Sequence, residues 1–382
     1  MTIDFDNRNY YCFVKKILYL GDAGSPHLAR WVKLMYERGF GVAVFSFRHP
    51  SPDIANLSGV HFEVYEELAT ISSASMRGKL GYLKSYPALR RLVRKFHPDL
   101  VHAHYASSYG LLASMLSFHP FVLSVWGSDV FAFGESFLGR MILRYNFSKA
   151  DRILSTSEVM KKRVMQFCRK EIEVTPFGVD LDVFFPGKAD CPFFNDAELV
   201  FGMIKTMDHI YGVDIVLHAF KQVLAKFPKR RIKLLLVGGG DTDKGFLNLS
   251  DRLGISAHVH FTGKVEQSDV PEYHRMIDVF LNPSRAESFG VAVLEAMASG
   301  RAVIVTNTGG LAEIVTNEVN GLHCDVGNSE SLAERMIQLL ENAELRADLA
   351  TRAREHVMRK FNKSVTDDLV IQVYNELLLG MS

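Results

Sequence analysis

Short apolar runs of four to seven residues, each closed by Gly, Asp, Asn or Ser, alternate along the chain with longer segments of helical period. That rhythm predicts parallel strands joined by crossover helices, an α/β chain throughout. In the first half, strands are predicted at Lys16 to Leu20, Val42 to Phe47, Leu100 to Ala103, Phe121 to Val125 and Arg152 to Ser155. Open α/β sheets hold ligands beyond the carboxyl ends of their strands, so the loops 21–27, 102–108 and 126–129 should share one edge. Between Pro176 and Gly187 two prolines and two glycines stand among aromatic residues with no period, which reads as an interdomain linker.

The pattern then restarts. Strands are predicted at Leu199 to Ile204, Lys233 to Val237, Val259 to Thr262, Val279 to Leu281 and Ala302 to Val305, with a helix over Asp214 to Lys226, a second Rossmann-like unit. The last segment, about Ser364 to Leu379, reads as an amphipathic helix carrying Val365, Leu369, Ile371, Val373 and Leu377 and packing back across a domain boundary. These readings divide the chain into 1–178, 179–362 and a closing helix over 363–382. The 382 residues agree, since roughly 150 per domain predicts two or three domains.

Composition narrows the class. With 44 basic and 43 acidic side chains the net charge is +1, which excludes a histone-like binder of nucleic acid. Cys12, Cys168, Cys191 and Cys324 are scattered without a CxxC pair, against a disulfide framework or structural zinc and in favour of a reducing compartment. Met1 to Asn9 carry Asp4 and Asp6 where a secretory leader has basic residues, and no apolar run approaches the roughly 20 residues that cross a bilayer. A cytoplasmic protein, soluble or resting on a membrane surface, is expected.

The densest chemistry lies in Asn282 to Gly300, NPSRAESFGVAVLEAMASG, where a strand ends, a polar loop follows and a helix opens near Gly290. A helix start exposes unpaired amides and the positive end of the dipole, so the amides of Ser288, Phe289, Gly290, Val291 and Ala292 make a seat for a phosphate. Glu295 sits about one and a half turns in and leans back toward that end, within reach of ribose hydroxyls. Glu287, before the helix, can hold sugar hydroxyls on the other side of the phosphates. Simple dipole compensation is the alternative for a glutamate so placed.

Neither GDAGSPH (Gly21 to His27) nor Gly238 to Gly240 continues as G-x-G-x-x-G, so a dehydrogenase is not expected. The permissive backbone at Gly21 and Gly24 would let the chain approach a diphosphate or acceptor.

The stretch Pro283 to Gly300 resembles the signature of family 4 retaining glycosyltransferases, the group 1 glycosyltransferases of the GT-B fold. Val237 to Gly240, Phe261-Thr262-Gly263-Lys264-Val265, Gly309-Gly310 with Glu313, and Gly321-Leu322 follow in the family's order; in the N-terminal half Trp31, Arg38-Gly39 and Asp99 to His104 are similar. The resemblance implies two Rossmann-like doubly wound domains facing a deep cleft, the first binding the acceptor and the second a nucleotide-sugar donor, with no metal and no covalent cofactor.

It also assigns residues. Gly238, Lys264, Val265, Ser288 to Ala292 and Glu295 fall on donor-binding positions, and the family's basic pair falls on Lys205 and Tyr211, of which Tyr211 brings a hydroxyl and no charge. In Ser124 to Asp129, Trp126 stands where relatives commonly have histidine, which leaves His102, His104 or Asp129 to supply any proton transfer. Trp126 then either stacks on a sugar or fills core. Of His102 and His104, one is expected to face the site and the other to pack inward, with His104 favoured; the catalytic set is then Glu287, Lys205, His104 and Asp129.

Met76 to His97 holds seven basic and no acidic residues, interspersed with leucines and aromatics, a pattern that an anionic membrane surface attracts. The expected function is retaining transfer of a hexose-type sugar to a glycan or lipid-linked acceptor in surface polysaccharide biosynthesis. A nucleotide-sugar epimerase or phosphorylase on the same scaffold, or a non-catalytic partner subunit, are the alternatives.

Overall fold

The computed structural model describes residues 15–66, 81–195, 197–240 and 243–379, which form two compact units. The first takes its described residues up to Ser155, then Lys162–Glu173 and those from Gln372 on; the second takes Thr156–Lys161 and Val174–Ile371.

In the first unit β1 (Lys16–Leu20), β2 (Gly41–Ser46), β3 (His61–Val64), β4 (Leu100–His104), β5 (Phe121–Val125), β6 (Arg152–Ser155) and β7 (Ile172–Val174) form one sheet in the order β3-β2-β1-β4-β5-β6-β7. It is parallel from β3 through β6. Helices cover both faces, so β4 and β5 are buried along their whole length, with His102, His104 and Ser124 buried among the apolar residues.

The second unit repeats the plan. β8 (Leu199–Ile204), β9 (Ile232–Val237), β10 (Val259–Phe261), β11 (Val279–Asn282), β12 (Ala302–Thr306) and β13 (Leu322–Cys324) run parallel in the order β10-β9-β8-β11-β12-β13. The chain moves outward from β8 to β10 and then returns beside β8 as β11. That reversal is a topological switch point, where side chains after β8 and β11 are left facing each other. Phe201, Phe220 and Leu281 anchor the core beneath it.

Two sequence readings are corrected here. The segment 176–187 is packed coil of the second unit: Phe177, Val179 and Phe184 are buried, Val179 donates to the Phe361 carbonyl at 2.7 Å and accepts from the Lys363 amide at 2.9 Å. The closing helix, Lys363–Leu379, buries Thr366, Asp367, Val370, Val373, Tyr374 and Leu378, while Val365 and Leu369 are exposed. Its inward stripe follows the 3.6-residue period, and those two residues stand roughly a third of a turn or more from its centre. From Gln372 onward this helix belongs to the first unit, where the Tyr374 hydroxyl lies 3.1 Å from that of Tyr19.

Candidate functional site

In the second unit, Lys205 follows β8 and Glu287 lies in the loop after β11, the two ends brought together at the switch point. The Lys205 ammonium donates to Glu287 Oε2 at 2.5 Å, and both side chains are largely buried. The same ammonium lies 4.5 Å from the centre of the Tyr211 ring. Tyr211 thus faces Lys205 with its ring and stabilises the ammonium through a cation–π contact.

The loop holding Glu287 is fixed from behind. Gly309 has φ +53°, and a Cβ there would come within 1.8 Å of the Glu287 carbonyl oxygen; the Gly310 amide donates to that same oxygen at 3.0 Å. Only glycine lets the two backbones approach so closely. Phe289 is buried between Phe177 and Phe361, and the Ser157 hydroxyl donates to the Ser288 carbonyl at 2.9 Å. Glu313, in the helix after the glycine pair, accepts the amides of Glu158 and Val159 at 2.8 and 2.6 Å.

Gly290 caps the helix Val291–Ala298, and its carbonyl accepts the amides of Val293 and Leu294. The amides of Ser288, Phe289, Gly290, Val291 and Ala292 donate to no partner among the described residues. A run of orphan donors at a helix start is chemically suited to an anion. Gly238 ends β9 with its amide on the Gly263 carbonyl at 3.1 Å, and Gly239 packs against the backbone of Lys264, which with Val265 follows β10 on the same sheet edge.

Glu295 does not join the Lys205–Glu287 pair. Its carboxylate is 3.4 Å from His274 Nε2; His274 is fully buried between Phe184 and Phe280, and its Nδ1 has no partner. Sequence reasoning missed His274, which sits among apolar residues on a short helix without any motif. It also missed Arg285. The Arg285 guanidinium grips Asp214 at 2.9 and 2.7 Å, and its amide donates to the Ile210 carbonyl at 2.8 Å, locking the Tyr211 loop to the Glu287 loop. Burial raises the Asp214 carboxyl, but the Arg285 hydrogen bonds and charge outweigh it and hold the group below its usual range.

The first unit carries the other predicted residues. The loops after β1, β4 and β5 share one edge, as expected: a Cβ on Gly21 would lie 3.4 Å from His104 Cβ, and Asp129 ties the loops after β4 and β5 together. Its carboxylate is buried and accepts the amides of Ala106, Gly127 and Trp126 at 2.7, 2.8 and 3.2 Å. Burial raises the Asp129 carboxyl although those hydrogen bonds pull the other way. A carboxylate so occupied is a clasp, which corrects its reading as a proton acceptor.

His102 and His104 correct a second expectation. Residues two apart on a strand point to the same face. Both rings are fully buried on one side of β4, stacked 4.2 Å apart and edged by Trp31. His102 sits between the Tyr374 hydroxyl and Ser124 Oγ, the latter at 2.7 Å. Both nitrogens of His104 are buried without a partner, and burial, with repulsion from His27 behind it, lowers its pKa to about 3. His104 is a neutral core ring. Trp126 is half-buried, 4.8 Å from His104 and 5.7 Å from His27. Neither Gly21 nor Gly24 has positive φ; Gly21 is wanted for its closeness to Leu28, and Gly24 is exposed with its amide on Asp22.

Of the basic segment, 76–80 lie outside the described residues. Beyond them, Lys84, Arg90, Arg91, Arg94 and Lys95 are exposed, whereas Leu89 and Leu92 of the helix Tyr86–Phe96 are buried against the sheet. Leu89 and Leu92 of the expected apolar stripe are therefore core, Tyr82, Leu83, Tyr86 and Phe96 are half-buried, and the exposed charges are all cationic.

Known structures share this architecture. Sucrose-phosphate synthase from Thermosynechococcus elongatus superimposes with a TM-score of 0.81 at 19% identity, covering 96% of this chain and all of that one. HepE of Anabaena, solved with UDP-glucose, gives 0.75 at 21% identity over 95% of this chain and 100% of that chain. The fold is GT-B, two Rossmann-like domains of the kind that glycosyltransferases use. The pattern described as glycosyl transferases group 1 matches residues 191–356 and that described as glycosyl transferase 4-like matches 16–157; the chain belongs to the group 1 glycosyltransferases. A curated relative, N-acetyl-alpha-D-glucosaminyl L-malate synthase of Bacillus anthracis, is 26% identical over 91% of this chain and 92% of its own length. Among the described residues, no helix is long and apolar enough to cross a membrane.

Proposed function

We propose that this protein transfers a hexose-type sugar, with retention, from a nucleoside diphosphate donor to a hydroxyl of a glycan or glycolipid in surface polysaccharide biosynthesis. The observation that carries the reading is the row of unpaired amides from Ser288 to Ala292 directly after the Lys205–Glu287 pair. Five orphan donors and an ammonium suit a diphosphate, and the UDP-glucose of HepE supports a nucleotide-sugar donor.

In this reading the diphosphate takes Lys205, and Glu287, released from it, accepts hydroxyls of the donor sugar. The amides and Lys205 stabilise the charge that grows on the departing diphosphate beside an oxocarbenium-like sugar, which leaves no task for a metal ion. The leaving phosphate takes the acceptor's proton on the same face, so the chemistry needs no buried histidine. Glu295, backed by His274, binds the ribose. The first unit receives the acceptor, and its cationic face at Lys84 to Lys95 rests on the anionic cytoplasmic surface of a membrane.

A panel of UDP- and GDP-sugars, read first by thermal shift and then by product formation with and without acceptor, tests the proposal. Acceptor-dependent release of nucleoside diphosphate is expected. Sugar conversion without acceptor would point instead to an epimerase, and nucleotide binding without any turnover to a partner subunit.

A further inference from the structure

The helix Phe137–Lys149 is built like an element that meets two solvents. Gly139, Leu143, Asn146 and Phe147 face the unit's interior, and Asn146 donates to the Ala106 carbonyl at 2.7 Å. Its outer side is apolar where solvent should meet polar groups: Phe137 is 78%, Met141 52%, Leu138 42% and Tyr145 39% exposed. At roughly 100° per residue these four side chains span about a quarter of the helix circumference, with only the small Ser148 exposed among them. Arg140 and Arg144 border that arc on one side and Lys149 on the other, and the helix contains no acidic residue. The nearby Glu135 carboxylate is taken by Arg163.

We infer that this helix is a membrane anchor, lying in the plane of an anionic bilayer with Phe137, Leu138, Met141 and Tyr145 among the acyl chains and its cations on lipid phosphates. An apolar stripe bordered on both sides by cations matches an interface whose interior is hydrocarbon and whose rim is negative. The sheet order adds weight: from β3 to β4, β4 to β5 and β5 to β6 the chain steps in one direction, and right-handed crossovers put the helices Tyr86–Phe96, Tyr109–Leu116 and Phe137–Lys149 on one face. The cationic outer face of Tyr86–Phe96 lies in that layer too, and Tyr86 donates to the Met115 carbonyl at 2.8 Å. The inference deepens the membrane attachment proposed above and rests on it, because it supplies the inserted apolar element that Tyr86–Phe96 lacks.

Sedimentation with phosphatidylcholine vesicles, with and without phosphatidylglycerol, tests it on the full chain. The wild type should pellet only with the anionic vesicles. Phe137→Ser/Met141→Ser should lose at least about tenfold in vesicle affinity and detach at raised salt, since two large apolar side chains no longer enter the bilayer; Arg140→Glu/Arg144→Glu should detach at low salt. UDP binding by the same samples should be unchanged, so failure of the anchor and failure of the donor site are read separately. Equal pelleting of wild type and the serine variant overturns the inference. So does a wild type that ignores vesicles, or one whose exposed helix proves to seal a dimer abolished by the serine changes.

Discussion

On the proposed reading, single side chains carry the donor chemistry through charge and ring geometry. Lys205 is held by Glu287 at 2.5 Å and by the Tyr211 ring at 4.5 Å, so its ammonium has one position. Lys205→Met should weaken UDP binding by about 2 kcal/mol, some thirtyfold in Kd by calorimetry, because hydrogen bonds to a charged group are lost. Glu287→Gln should leave UDP affinity within about threefold and lower turnover with the sugar donor, since its task falls on the sugar. A different test concerns acid. His104 is neutral in the fold, lowered to about 3 by burial, whereas the unfolded chain takes up a proton near the ordinary 6.5. Stability is then full above about 6.5 and falls as pH drops toward 3, by about 2 kcal/mol between pH 7 and 5. Urea midpoints of His104→Phe should show a flatter pH profile than the wild type; parallel profiles would mean that His104 is not the group responsible.

Elements make those positions possible. Gly309 lets β12's following turn pass against the Glu287 carbonyl, so Gly309→Ala should unfold the second unit more easily by at least about 2 kcal/mol and lower UDP affinity as well. Gly245, in the helix Asp243–Leu253 with open space around it, is the control: alanine there should be neutral or stabilising by up to about 1 kcal/mol. The same contrast explains what the sequence made legible. The central strands β1, β4, β5, β8 and β11 announce themselves because both faces are covered and apolar residues dominate each run, with His102 and His104 of β4 the exception. β3, β7 and β13 went unread: each is a sheet edge of three or four residues, such as His61–Val64, with partial burial and no continuous apolar run. The Glu287 to Glu295 segment was legible because helix-start chemistry is local in sequence. Arg285–Asp214 and His274–Glu295 join residues 71 and 21 positions apart, which no local pattern reveals.

For the whole molecule, the closing helix is the piece that ties the chain's end into its first strand. Tyr374 is fully buried, bonded to Tyr19 and His102, so Tyr374→Ala should destabilise the first unit by about 3 kcal/mol. The two tryptophans, Trp31 and Trp126, both lie in that unit, and their fluorescence reports its unfolding alone. An earlier fluorescence transition in urea, with UDP affinity retained under native conditions, is the expected outcome. Loss of UDP affinity at the same time would show that the two units are not energetically separate.

The claim on which the mechanism stands is that the start of the Val291–Ala298 helix holds the diphosphate. Backbone amide resonances of Ser288 to Ala292, followed by NMR during titration with UDP, test it most directly. Large, saturable shifts at these amides, reduced in Lys205→Met, are predicted. Saturable binding that leaves them unmoved and perturbs another part of the protein would contradict the account.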